Sequence, residues 1–102
     1  MKIYISGPIK GKPDLNREAF AQAQIFIEST GREAINPHNL SPRRNENESD
    51  ESYYERCMQI DLAALESCDM IFMLPGWKES KGAMREYERA MELHLAIAMF
   101  GI

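Results

Sequence analysis

Apolar and polar positions along this chain switch between two rhythms. The run "KIYIS" is short, β-rich and closed by Gly7 and Pro8, as a buried strand entering a turn would be. From Asp14 or Asn16 to Thr30 the positions Ala19, Phe20, Ala23 and Ile27 recur at helical spacing, behind a polar cap and ahead of Gly31. "EAIN" before Pro37 predicts a second short strand, so the opening reads as a parallel strand, helix, strand unit with a right-handed crossover.

The segment from His38 to Ser52, "HNLSPRRNENESDES", has no apolar period and reads as a long loop, either a lid or a plain solvated insertion, with Arg43 and Arg44 as its basic pair. A second helix is predicted from Tyr53 to Ser67, and "DMIFML" follows as a third strand, apolar enough to be central. After the loop "PGWKES", a third helix runs from Lys81 to Leu93 with Ser80 as N-cap, and "AIAMF" makes a fourth strand. The expected fold is one α/β domain over 1–102, a small Rossmann-like or flavodoxin-like three-layer unit whose four-stranded parallel sheet has the order 2-1-3-4.

Two acidic residues break this pattern. On helix two, Tyr54, Met58, Asp61, Leu62 and Leu65 share a face, which puts a carboxylate inside a stripe built for burial. Such a group needs compensation or it neutralises. On helix three the buried stripe is expected to hold Ala83, Tyr87, Ala90, Met91 and His94, with Glu86 beside it about one turn inside the helix. Glu86 is either a shielded carboxylate within reach of a ligand or a surface residue paired with Lys81, Arg85 or Arg89. Glu88 and Glu92 are expected in solvent.

Composition narrows the partners. The formal charge of −4 and a pI near 5.2 argue against a surface for a nucleic-acid polymer. No stretch approaches the roughly 20 apolar residues of a membrane span, and the start "MKIYISG" carries no signal-peptide pattern, so a cytoplasmic protein is expected. Cys57 and Cys68, placed about 16 Å apart on one helix, are too distant for a disulfide and should be free, buried thiols. Neither they nor His38 and His94 show metal-ligand spacing, and no metal or cofactor is expected. At 102 residues, and with Met70, Met73, Met84, Met91 and Met99 as core or interface filler, a homodimer or higher homo-oligomer through helices two and three is expected.

In an open parallel sheet, ligands bind beyond the carboxyl ends of the strands, so "SGPIKGK", "NPHNL" and "LPGWKES" should line one cleft. Gly7, Gly11, Gly76 and Gly82 either bring backbone N–H groups to an anion or serve the turns.

"YISGPIKG", the Asp of "QIDLAALESCD" and "SKGAMREYERA" together resemble the nucleoside 2-deoxyribosyltransferase-like superfamily, including the 2'-deoxynucleoside 5'-phosphate N-hydrolases, and most of all a small phage-type branch of it. The resemblance implies that Glu86 is the nucleophile that attacks C1' of the sugar and forms a glycosyl ester, which water or another base resolves. Asp61 would hold the sugar hydroxyls and help position the base, and Tyr4 would touch the nucleophile; a buried core Tyr is the alternative for Tyr4. Ser80, six positions before Glu86, matches a Ser that meets a 5'-phosphate in the hydrolases, and Lys10 matches a basic residue of their first loop. The candidate contacts from the first loop are thus Ser6, Gly7, Pro8, Ile9 and Lys10. Gly76, Trp77, Ser80 and Gly82 join them from the third, with Trp77 either stacking on a base or serving an interface. Pro8 departs from the pattern by replacing a Ser. Larger relatives add a helix and strand after strand four and lend C-terminal residues to a neighbour's site, so here either a partner completes the cleft or activity is reduced.

The expected function is cleavage or transfer at the N-glycosidic bond of a nucleoside or nucleoside 5'-monophosphate. The alternatives are a glycosidase acting on NAD or a ribonucleotide, a non-catalytic nucleotide-binding module, and a purely structural interaction protein.

Overall fold

The structure, a computed structural model, describes residues 1–99. Four parallel strands, β1 (Lys2–Ser6), β2 (Glu33–Ile35), β3 (Met70–Met73) and β4 (Ala96–Met99), form one sheet in the order β2-β1-β3-β4. Three helices connect them, α1 (Arg17–Ser29), α2 (Asp50–Glu66) and α3 (Lys81–Glu92). The expected sheet order is observed, with Ile3 of β1 in register with Ala34 of β2 and Met70 of β3. Phe100, expected in the last strand, lies outside the described residues.

Strand alternation divides the core into two layers. Ile3, Ile5, Phe72 and Leu74 point to one face and meet Phe20, Ala23 and Ile27 of α1. Tyr4, Ile71 and Met73 point to the other and meet Leu65 of α2 and Ala83 and Ala90 of α3. The site described below belongs to this second layer.

Several boundaries differ from expectation, each for a local reason. Helix one begins at Arg17, because Asp14, Leu15 and Asn16 adopt left-handed backbone angles (φ 49°, 55° and 61°) and the Asn16 amide donates to the Pro8 carbonyl at 2.8 Å. Helix two begins at Asp50 rather than Tyr53, since Ser49 caps it by accepting from the Ser52 N–H and two acidic residues occupy its first turn. The preceding segment is not a loose insertion. Arg56 holds the Glu48 carboxylate at 2.8 and 2.9 Å and the Arg43 carbonyl at 2.8 Å, while Tyr53 donates to the Pro42 carbonyl at 2.7 Å. On helix three the buried positions are Ala83, Glu86 and Ala90; Met91 is 53% exposed, and His94 lies past the helix end in a left-handed turn (φ 59°). Cys68 is buried beyond the end of α2 and Cys57 is half-buried within it; both are free.

Candidate active site

Tyr4 and Ser6 sit two residues apart on β1, so their side chains share the face that looks toward α3. Glu86, in the second turn of α3, receives both. The Tyr4 hydroxyl donates to Oε2 at 2.7 Å and the Ser6 hydroxyl donates to Oε1 at 2.5 Å. Tyr4 and Ser6 are fully buried and Glu86 is 5% exposed. The alternative of a surface ion pair for Glu86 is thereby excluded. Arg85 instead reaches outward to Glu55 at 2.7 Å, and Arg89 to Glu66 at 3.1 Å.

Asp61 faces this carboxylate from α2, 8% exposed and near enough for its charge to repel that of Glu86. Among the described residues nothing donates a hydrogen bond to it. Burial pushes both acids up to about 7: for Asp61 desolvation acts alone, and for Glu86 it outweighs the hydrogen bonds from Ser6 and Tyr4, with Asp61 adding to the rise. Burial and the two nearby carboxylates raise the Tyr4 hydroxyl well above its ordinary range, so it stays a donor. The centre is thus two shielded acids that are partly protonated near neutrality, and among the described residues neither forms an ion pair.

The loops around it are tightly closed. An added Cβ at Gly7 would lie 2.7 Å from the Leu74 Cβ, so this glycine exists to let the ends of β1 and β3 approach. A Cβ added at Gly76 (φ 86°) would lie 3.4 Å from the Pro8 Cγ, and one added at Gly82 would lie 3.4 Å from the Met58 Sδ and the Tyr54 hydroxyl of α2. Pro8 is buried, Ile9 packs against the α1 core, and Lys10 is exposed. Ser80 caps α3 by accepting from the Ala83 N–H at 3.2 Å. The Trp77 ring stacks on Tyr87 with centroids 4.6 Å apart, which occupies one of its faces. Tyr4, Ser6, Asp61 and Glu86 are brought together at the buried centre, whereas Lys10, Gly76, Trp77 and Ser80 lie at its rim or in solvent.

Two surface concavities, about 300 and 260 Å³, are lined by Arg56, Gln59, Ile60 and Ala63 and by a set including Phe26, Phe72 and Pro75; no candidate residue lines either. Among the described residues no cluster of His, Cys, Asp and Glu is arranged to hold a metal, and no helix is long and apolar enough to cross a membrane. The Ser6 to Glu86 contact is what sequence reasoning missed. The signal was available in the two-residue spacing from Tyr4.

Known structures carry the same fold. A 2-deoxyribosyltransferase of Bacillus psychrosaccharolyticus superposes with a TM-score of 0.76 at 19% identity, over 98% of this chain and 72% of that one. A CMP N-glycosidase of Clostridium botulinum matches with 0.62 at 18% identity, over 97% and 67%. The 2-desoxiribosyltransferase of Leishmania mexicana gives 0.63 at 16%, over 97% and 63%. The chain thus spans between 63% and 72% of these relatives' length. This chain shares its fold with these two deoxyribosyltransferases and the N-glycosidase. No curated protein matches the sequence significantly. Residues 1–99 match the family model described as Domain of unknown function (DUF4406), and the chain belongs to that family.

Proposed function

We propose that the protein cleaves or transfers at the N-glycosidic bond of a nucleoside or nucleoside 5'-monophosphate, with Glu86 as nucleophile. One observation carries this reading: a buried carboxylate fixed at both oxygens by hydroxyls faces a second buried carboxylate, and among the described residues the first forms no ion pair and the second receives no hydrogen bond. A purely structural protein gains nothing from two such acids, whose burial disfavours their charge. A glycosidase uses both.

In the reaction, a Glu86 oxygen bonds to C1' as the bond from C1' to the base nitrogen breaks. The bonding pair ends on the base nitrogen, and the base takes up one proton from solvent. Water, or a second base, then attacks C1', the ester bond to Glu86 breaks to leave the carboxylate, and the attacking group gives up one proton to solvent. Asp61 holds the sugar hydroxyls, which supply the hydrogen bonds it lacks in the free protein. The Tyr4 hydroxyl steadies Glu86. The preference for a 5'-monophosphate rests on Ser80 at the α3 N-terminus and on Lys10, Lys78 and Lys81, exposed on the loops and helix start around it.

The test is release of free base from a panel of nucleosides, their 5'-monophosphates and NAD, followed by chromatography. Wild type should release base, and Glu86→Gln should lose about a thousandfold or more of that rate while still binding ligand. Because Glu86 must be ionised to attack and stands near 7, kcat/KM should rise with pH through about 7. Binding without turnover in wild type would instead identify a nucleotide-binding module.

A further inference from the structure

We infer that Ser6 is a positioning residue for the Glu86 carboxylate, one of two hydroxyls on β1 that hold it in a single orientation and favour its charged form, and not a contact for the substrate. The catalytic consequence rests on the reading of Glu86 as nucleophile; the effect on the carboxylate itself does not.

The argument starts from the strand. Residues two apart on β1 face the same way, so Tyr4 and Ser6 form a pair of donors spaced along one face. Each takes a different oxygen of the same carboxylate. Ser6 is fully buried and its hydroxyl is 2.5 Å from Oε1, a length that belongs to a hydroxyl donating to a charged acceptor. A hydroxyl with no accessible surface is not free to meet a ligand.

The charge state decides which form this arrangement suits. An ionised carboxylate offers acceptors only, and the two hydroxyls fill one site on each oxygen. A protonated one must donate its own proton, and one of the two hydroxyls then loses its acceptor in a buried place. The groups that act on Glu86 from around it are few. Tyr4 and Ser6 on β1 and Arg85 beside it on α3 favour its charge, and Asp61 on α2 together with burial opposes it. Arg85 is committed to Glu55. The hydroxyls are therefore the chief support the carboxylate has, and Ser6 supplies half of it.

The experiment follows the Glu86 carboxyl directly by carbon NMR of glutamate-labelled protein, assigned by comparison with Glu86→Gln, in wild type, Ser6→Ala and Ser6→Cys. Loss of the donor in Ser6→Ala should raise the Glu86 midpoint by about one pH unit, a tenfold loss of ionised carboxylate at any pH below it. Ser6→Cys, which keeps the volume and a weaker donor, should fall between the two, and it keeps the comparison available should Ser6→Ala fold poorly. A Glu86 midpoint unchanged in either folded variant overturns the inference. Where turnover is found, the acid limb of kcat/KM should move by the same amount. Turnover with an unmoved midpoint would sink the role of Ser6 and leave the glycosidase standing; a moved midpoint with no turnover on any substrate would do the reverse.

Discussion

The chain treats its acids in two opposite ways. Away from the buried centre, five carboxylates around α2 and α3 are paired with an arginine: Glu48 with Arg56, Asp50 with Arg44, Glu55 with Arg85, and Glu66 and Glu92 with Arg89. Glu48, held by Arg56 and by the Asn45 N–H, is brought down to about 2, and the arginines beside Asp50 and Glu55 lower those carboxyls as well. The inner pair, Glu86 and Asp61, form no ion pair among the described residues and stand near 7. The contrast is sharpest at residues 85 and 86. Successive positions on a helix point about 100° apart, so Arg85 serves Glu55 on the outside while its neighbour goes inward alone. Arginine was available next to the buried acid and is spent elsewhere. Under the proposed function, that is the pattern expected of a site kept reactive at a cost in stability.

Removing the inner charge gives the largest effect on folding. Glu86 has its native midpoint raised from 4.5 to about 7, so the folded protein holds this proton more tightly than the unfolded chain. Its charge therefore costs nothing at low pH, and the penalty develops as pH rises from about 4.5 to 7. At 1.36 kcal/mol per unit, a rise of about 2.5 units corresponds to about 3 kcal/mol once both states are ionised. Glu86→Gln should accordingly be more stable than wild type by about 3 kcal/mol at pH 8 and nearly equal to it at pH 4, as read by urea unfolding. A difference that does not change between the two pH values would mean that Glu86 is not strained by its burial.

The inner and outer acids were not equally legible in the sequence. Asp61 and Glu86 stood out because each interrupts an apolar helical stripe, and the alternation of strands with amphipathic helices was enough for the sheet order. Three things were hidden. Ser6 stands both at the end of the "KIYIS" strand and at the head of the "SGPIKGK" loop, and its place beside Glu86 emerges only when strand alternation is counted on from Tyr4. The first turn of α2, Asp50 to Ser52, holds no apolar residue, so periodicity begins only at Tyr53, although Ser49 with two acids behind it is a cap signal. The Glu48 clamp depends on Arg56 a full eight positions away, across a bend that no local pattern encodes.

A smaller effect tests what closes the inner region. Gly7 and Leu74 meet so closely that a Cβ at residue 7 would overlap the Leu74 side chain. Gly7→Ala should cost about 1 to 3 kcal/mol by overpacking, seen as a lower urea midpoint with an unchanged slope. If the variant keeps its stability but loses nucleotide binding, the glycine serves the ligand and the centre is more open than its packing implies.

The smallest effect separates the two sets of acids. Arg56→Met removes the outer clamp on Glu48 and on the Arg43 carbonyl, which should expose residues 40–49 to faster proteolysis while lowering Tm only slightly. The Glu86 midpoint should not move, and movement would show that the two sets are coupled. Their pH dependences also run in opposite directions. Glu48 is lowered, so its contribution is complete above its unfolded value of 4.5 and fades as pH falls toward about 2. The inner acids are raised and destabilise as pH climbs toward 7, Asp61 from 3.8 and Glu86 from 4.5. Wild-type stability should therefore peak at about pH 4, with an acid side that flattens in Arg56→Met and an alkaline side that flattens in Glu86→Gln; one variant altering both sides would end the division between the arginine-paired acids and the buried centre.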